Sequence, residues 1–352
     1  LKDAPMRMDG FVLGPGPTGR CDDLRVGGAV VDHDIAQGLW RMWYYCRDRA
    51  FNPDAPPTLG SGRIALATSP DGIDWTRFDG PLTGGAVMEP SADPANFDSV
   101  HIGLTDVSRG AGEWLMWYFG GDAAARDSGS HLGVVRGLGL RPGLARSHDG
   151  VNWRRAPGDA NGGALIDIDE GDVYAAWPNM VEDRGRWIMQ YTAPAYGLKA
   201  YRTRATVSTD GRRWTKLGVV EWADGARPWD CTGVITRQVL PNPLEGGARW
   251  LMIYTGTDQD HRRSIAAAQS DDGLTWRHYG EGPIFGVGEA DAWDSLGVAA
   301  TRLVPAQGRL YLYYYGFQSL GDDGKPRGIG LAISDTGDLS GFRRIVRQNQ
   351  GL

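Results

Sequence analysis

Cysteine is scarce in this sequence: Cys21, Cys46 and Cys231 are the whole set in 352 residues. An odd number without paired spacing makes neither a disulfide framework nor a zinc site, so the three read as small buried hydrophobes. No run of about 18 apolar residues occurs, which leaves no segment to span a membrane as a helix. Positive charge is not in excess, with 37 Lys and Arg against 43 Asp and Glu. The resulting net charge of -6 argues against nucleic acid as a partner, because that surface needs a basic field to displace phosphate counterions. The chain opens at Leu1 without a signal-like stretch, and a cytoplasmic location is expected, although a removed leader is compatible with the missing initiator Met.

What the sequence has in abundance is glycine and tryptophan, 52 and 14 residues respectively. Many tight turns combined with large flat side chains suit short strands packed sheet on sheet. Hydrophobic residues at 41% and charged residues at 23% belong to an ordinary globular composition.

A repeat organises the chain. Ser-x-Asp-Gly-x-x-Trp occurs at Ser69 to Trp75, Ser147 to Trp153, Ser208 to Trp214 and Ser270 to Trp276, with a degenerate copy from Ser334 to Phe342. The Asp-Gly pair supplies a hairpin turn in which Gly takes a positive φ, and the aromatic pins the following strand. Copies about 60 to 80 residues apart leave room for four strands and their loops. Before each hairpin runs a strand apolar on both faces, such as Trp40-Arg-Met-Trp-Tyr, Trp114-Leu-Met-Trp-Tyr and Trp250-Leu-Met-Ile-Tyr. Both faces must then be covered, as they are when radial sheets pack against two neighbours. Each unit opens on an aspartate before a short apolar strand: Asp23, Asp98, Asp172, Asp230 and Asp294. The expectation is an all-β, five-bladed β-propeller of four-stranded antiparallel blades, one domain over residues 1–352. Met8 to Leu13 or Phe342 to Val346 would tie the ring.

In such a ring the starts of the inner strands share one face with the long connections Arg47 to Gly62 and Gly120 to Pro142, and variable loops carry function. The five aspartates are expected to converge there. Two or three would face the cavity and the others would brace the backbone. His101, three residues beyond Asp98, can reach the same funnel as acid, base or metal ligand. Arg25 points to the same side as Asp23 and can hold an anion. Tyr174, Trp177, Trp229 and Trp293 flank inner-strand starts and offer flat faces to a sugar ring, with core packing as the alternative for each. No cofactor or metal is expected to be required, although a ring of carboxylates around a water-filled channel would suit one Ca²⁺ in spite of the absence of a calcium loop of known spacing.

With these repeats and aspartates in place, the whole chain resembles the five-bladed propeller glycosidases, the superfamily of glycoside hydrolase families 43, 32, 62, 117 and 130. The likeness is carried by Gly-Leu-Ala-Arg-Ser-His-Asp-Gly-Val-Asn-Trp and Trp-Asp-Ser-Leu-Gly-Val, and it points to an uncharacterised branch. It implies a small-molecule or oligosaccharide substrate, Asp23 as catalytic base, and Asp98 as the partner that tunes it. The place of the acid glutamate holds Ala176, which leaves Asp172, Glu170 or His101 to supply the proton, with inversion as the expected outcome. Asp230 and Asp294 are expected to contact substrate. Two alternatives stay open: a carbohydrate-binding propeller without catalysis, and an enzyme using the cavity for other acid–base chemistry on a non-sugar substrate.

Overall fold

A computed structural model describes residues 6–51, 59–110, 112–130, 133–198, 200–319 and 324–346. Parts of the two long connections singled out above, residues 52–58 and 131–132, lie outside the described residues. Strands form almost all the regular structure, and the described residues contain no helix beyond short 3₁₀ turns at Thr83–Gly85 and Asn161–Gly163.

The chain runs through antiparallel meanders of four strands, each beginning with a long inner strand. The inner strands are Arg25–Asp34, His101–Arg109, Ala176–Asp183, Gly233–Pro241 and Gly297–Ala306. Each touches the next, and the last touches the first, so the sheets stand radially around an axis. We call the sheets units one to five in chain order. Both chain ends tie the ring in unit five. Phe11–Leu13 and Arg343–Arg344 pair side by side with the same strand, Arg327–Ser334, and the Gly10 amide donates to the Ile345 carbonyl at 2.7 Å.

The second strands explain why the sequence is apolar on both faces there. All eight residues of Trp114–Gly121 and of Trp250–Thr257 are buried, because each strand is covered by the sheets on either side. Tryptophans stitch neighbouring sheets: Trp43 of unit one packs on Trp114 and Trp153 of unit two, with ring centroids 5.0 and 6.4 Å apart. Trp117 does the same with Trp187 and Trp214 of unit three. The hairpins are docked as well, since the Trp43 indole donates to the Gly150 carbonyl and the Tyr313 hydroxyl to the Gly72 carbonyl. Gly72 and Gly150 both sit at φ +77, the conformation the Asp-Gly repeat requires.

Every inner strand carries a register shift against its second strand at a comparable level: Gly27/Ala29, Leu104/Asp106, Ala176/Asn179, Val234/Arg237 and Ala300/Arg302. A bulge re-aims side chains and strengthens the local twist. Five of them form a belt around the axis, and that belt is where the cavity opens.

Candidate functional site

The repeated aspartates do not form the cavity wall. Asp98 is fully buried within unit two, where Oδ2 accepts from the Tyr118 hydroxyl at 2.9 Å and from Arg155 Nε at 2.7 Å. Arg155 also donates to the Glu89 carbonyl at 2.7 Å. The same clasp recurs: Asp294 with Tyr314 and Arg344, at 2.9 and 2.8 Å, and Asp230 with Tyr254 and His278, both at 2.8 Å. In unit one the clasp aspartate is Asp22, held by Tyr44 at 2.9 Å and Arg77 at 2.7 Å. Asp23, one residue on, instead accepts the Gly19 and Arg49 amides at 2.8 Å each and braces the adjoining loops. Unit three departs from the pattern. Asp172 pairs with Arg204 at 2.7 Å and Arg202 at 3.1 Å, while Lys216, which occupies the position of the clasp cation, pairs with Asp169. The expectation that the aspartates converge on the funnel is therefore corrected: a buried carboxylate is stable only when it is paired or hydrogen-bonded, and Asp98, Asp172, Asp230 and Asp294 find side-chain partners within their own sheets while Asp23 takes loop amides.

The cavity opens at the inner-strand starts and encloses about 420 Å³, within the usual range for small-ligand sites. Its wall combines bulge residues such as Gly28, Thr105, Trp177 and Thr301 with arginines and aromatic rings. Of the expected site residues, Arg25, His101, Tyr174 and Trp177 line it. Trp229 instead donates its indole N–H to Tyr254 beside the unit-four clasp. Trp293 is fully buried, donating to the Asp9 carbonyl and meeting Phe11 edge-on where the ring is tied. No carboxylate lines the cavity among the described residues, and none of their His, Cys, Asp and Glu side chains cluster as a metal-binding group. Of the five aspartates, Asp98, Asp230 and Asp294 are held in the clasps.

Further along the inner strands, Asp106, Asn179, Gln238 and Arg302 link the units across the axis. Arg302 of unit five donates to Asp106 of unit two at 2.6 Å, and Asn179 of unit three donates to the same carboxylate at 3.3 Å. Asn179 also accepts the Val239 amide at 2.7 Å, and Gln238 bonds both backbone groups of Leu303. Burial pushes the Asp106 carboxyl up, against the pull of Arg302.

Trp177 is the most unusual residue of the wall. Its φ is +51°, a conformation rare for a bulky side chain and associated with functional sites. The strained backbone and the bulge hold the indole against Phe119 and Tyr174, with centroids 5.1 and 5.6 Å away. His101 is buried beside Arg47, whose Nη2 lies 3.4 Å from Nδ1. Burial first, and Arg47 second, hold the imidazole well below its usual pKa, so it is neutral at physiological pH. Arg47 itself stacks on Phe51 at 4.1 Å and donates to the Gly60 carbonyl.

Arg47, Arg237 and Arg263 are the functional candidates that the sequence pattern did not flag. Arg237 follows the unit-four bulge, and its side chain comes to the cavity only because that extra residue shifts the alternation of the strand. The signal available in the sequence was the recurring Thr-Arg of Ile235-Thr-Arg-Gln-Val and Ala300-Thr-Arg-Leu-Val.

No family model matches the chain. It is 27% identical over 250 residues to the uncharacterized protein Rv1502 of Mycobacterium tuberculosis (strain ATCC 25618 / H37Rv), covering 70% of this chain and 71% of that one. Among solved structures, a BT0996 complex with RGII matches with a TM-score of 0.62 at 16% identity, over 94% of this protein and 92% of that one. A structure from work on the GH130 family of mannoside phosphorylases, described as containing glycoside hydrolases that target β-1,2 mannosidic linkages in Candida mannan, matches with a TM-score of 0.60 at 16% identity over 96% of each protein. The structural neighbours are propeller glycoside hydrolases, and the chain has their all-β fold.

Proposed function

We propose that the protein is a carbohydrate-active enzyme, a single five-bladed propeller whose substrate seats in the central cavity. The observation that carries this reading is Trp177, held at a strained positive φ over the cavity beside Tyr174. A flat indole fixed in position stacks on a sugar ring at little entropic cost. The threonines and guanidinium groups of the same wall supply hydrogen bonds for hydroxyl groups. The fold shared with glycoside hydrolases supports the same class of substrate by analogy.

The chemistry is assigned to the wall. Hydrolysis by two carboxyl groups needs one on each side of the scissile bond, and no described wall residue is acidic. The reading therefore gives Asp23, Asp98 and Asp172 to the scaffold and takes neutral His101 as a proton relay, which accepts a proton from the attacking water and passes it to the leaving oxygen. Screening aryl glycosides and oligosaccharides for binding and turnover tests it. Trp177→Asn, which tolerates the left-handed backbone, should weaken sugar binding at least tenfold in a protein that melting curves show to be folded. His101→Gln should keep binding and lose turnover. Sugar binding unchanged in Trp177→Asn would overturn the assignment, and loss of turnover in a fully folded Asp98→Asn would return the chemistry to that aspartate.

A further inference from the structure

Arg237 is only 2% exposed, yet it belongs to the cavity wall. Its Nη2 donates to Thr192 Oγ1 at 2.7 Å, to Thr203 Oγ1 at 3.1 Å and to the Val234 carbonyl at 3.5 Å. Those three neutral acceptors fix the guanidinium plane. Nε and Nη1 are buried and have no hydrogen-bond partner among the described residues. No described carboxylate pairs with the group, and burial alone brings its pKa down to about 9, so it remains a cation at neutral pH. Elsewhere the buried charges are matched: Arg77, Arg155 and Arg344 each meet an aspartate. Two further wall cations lack an ion pair with any described residue, Arg47, which bonds Tyr45, Gly60 and His101, and Arg263, which lies over the Phe317 ring.

A buried, fixed guanidinium with unused donors is a costly arrangement that a bound anion would relieve. A neutral sugar would accept its hydrogen bonds but leave its charge unmatched, and a cation would be repelled by the whole wall. We propose that Arg237 is the centre of an oxyanion subsite, supported by Arg263, which receives the charged group of an acidic carbohydrate, a carboxylate or a phosphate ester. This inference rests on the carbohydrate reading for what carries the anion, but not for the anion itself. Guanidinium suits both groups because its planar donors match two oxygens at once.

Calorimetric titration of the full chain tests it with three matched sets of probes: glucose, galactose and mannose; glucuronate, galacturonate and mannuronate; and the corresponding hexose 6-phosphates. Inorganic phosphate is titrated alongside. At least one acidic sugar should bind tenfold or more tightly than its neutral parent, and raising the salt should narrow that ratio. Arg237→Met should bring the ratio close to one, because the acidic sugar loses far more affinity than its neutral parent. Arg237→Lys should keep part of it, which separates charge from fold, and melting curves of both variants confirm that each is folded. A ratio near one in the wild type, or a ratio unchanged in folded Arg237→Met, overturns the proposal. Binding of inorganic phosphate that depends on Arg237, with no sugar binding at all, would keep the oxyanion subsite and remove the carbohydrate reading. If uronates gain and hexose phosphates do not, the anion is a carboxylate; the reverse assigns a phosphate ester.

Discussion

The clasps and the cavity wall handle buried charge in opposite ways. In the clasp of unit two, Asp98, Tyr118 and Arg155 satisfy one another within a single sheet, and units one, four and five repeat the arrangement. On the cavity wall, Arg237 keeps two buried donors without a partner among the described residues, and His101 is held neutral beside a cation. A charge that is matched from within a repeated unit serves the fold. A charge left unmatched at the axis, where the repeats differ from one another, is available to a ligand.

The sharpest way to break this distinction is to neutralise a clasp. Asp98→Asn leaves Arg155 and the Tyr118 hydroxyl facing an amide inside the sheet, and breaking a buried pair of this kind costs about 3 kcal/mol. Urea denaturation should show the loss as a lower midpoint with an unchanged slope. A parallel pair tests the register of unit one. Asp22→Asn should cost as much as Asp98→Asn, whereas Asp23→Asn, which keeps one of the two amide hydrogen bonds and surrenders the other, should cost about 1 kcal/mol. Equal losses at Asp22 and Asp23 would mean that the clasp of unit one is misassigned.

These residues also mark how far the sequence was legible. The Ser-x-Asp-Gly-x-x-Trp turns announced the hairpins because the turn chemistry is local: Gly72 lies at φ +77 and the Ile73 and Asp74 amides donate to Asp71. The aspartates are visible as a series, and their partners form a second series in step with it. A cation stands two residues after each repeat aromatic, as Arg77, Arg155, Lys216, His278 and Arg344. Repetition in step with the turns is the mark of a structural role, and it assigns Asp98, Asp230 and Asp294 to the sheets. Asp22 and Asp23 are adjacent, so only the strand register separates them. Arg237 was hidden for a different reason. A bulge breaks the period of two on which inward and outward positions are counted, and its one mark in the sequence is the Thr-Arg that recurs at two of the five, Thr236-Arg237 and Thr301-Arg302.

The opposite sign is expected at the wall. Removing the unpaired cation in Arg237→Met gives up hydrogen bonds to Thr192 and Thr203 but ends the burial of an unmatched charge. The balance favours the variant by on the order of 1 kcal/mol. A gain in stability coupled to a loss of anion binding, read from melting curves with and without ligand, would sharpen the comparison. A loss of several kcal/mol in the ligand-free protein would instead place Arg237 with the clasps as a structural residue.

The smallest effect is expected within the clasps themselves, in the one that carries a titrating cation. His278 donates from Nδ1 to Asp224 at 2.9 Å and from Nε2 to Asp230 at 2.8 Å, and it stacks on Trp222 with centroids 4.3 Å apart. The other groups facing this cluster are Arg227, bonded to Asp224, and Tyr254, bonded to Asp230. Burial disfavours the imidazolium, but the two carboxylates outweigh it and raise the pKa of His278 above its usual value. Since the folded pKa exceeds the unfolded one, the stabilisation is complete below about pH 6.5, the unfolded histidine value, and is lost as pH rises through the folded pKa. The arginine clasps do not titrate there. Stability measured by urea denaturation should therefore decline on going from pH 6 to pH 9, by about 1 kcal/mol or less, and His278→Arg should remove that decline while leaving the acid side of the profile unchanged. On that acid side Asp224, whose pKa is lowered against burial by its bonds to His278 and Arg227, loses its contribution as pH falls. A wild-type profile as flat as that of His278→Arg across the alkaline limb would show that this clasp is held without the imidazolium, and that the difference among the units carries no energetic consequence.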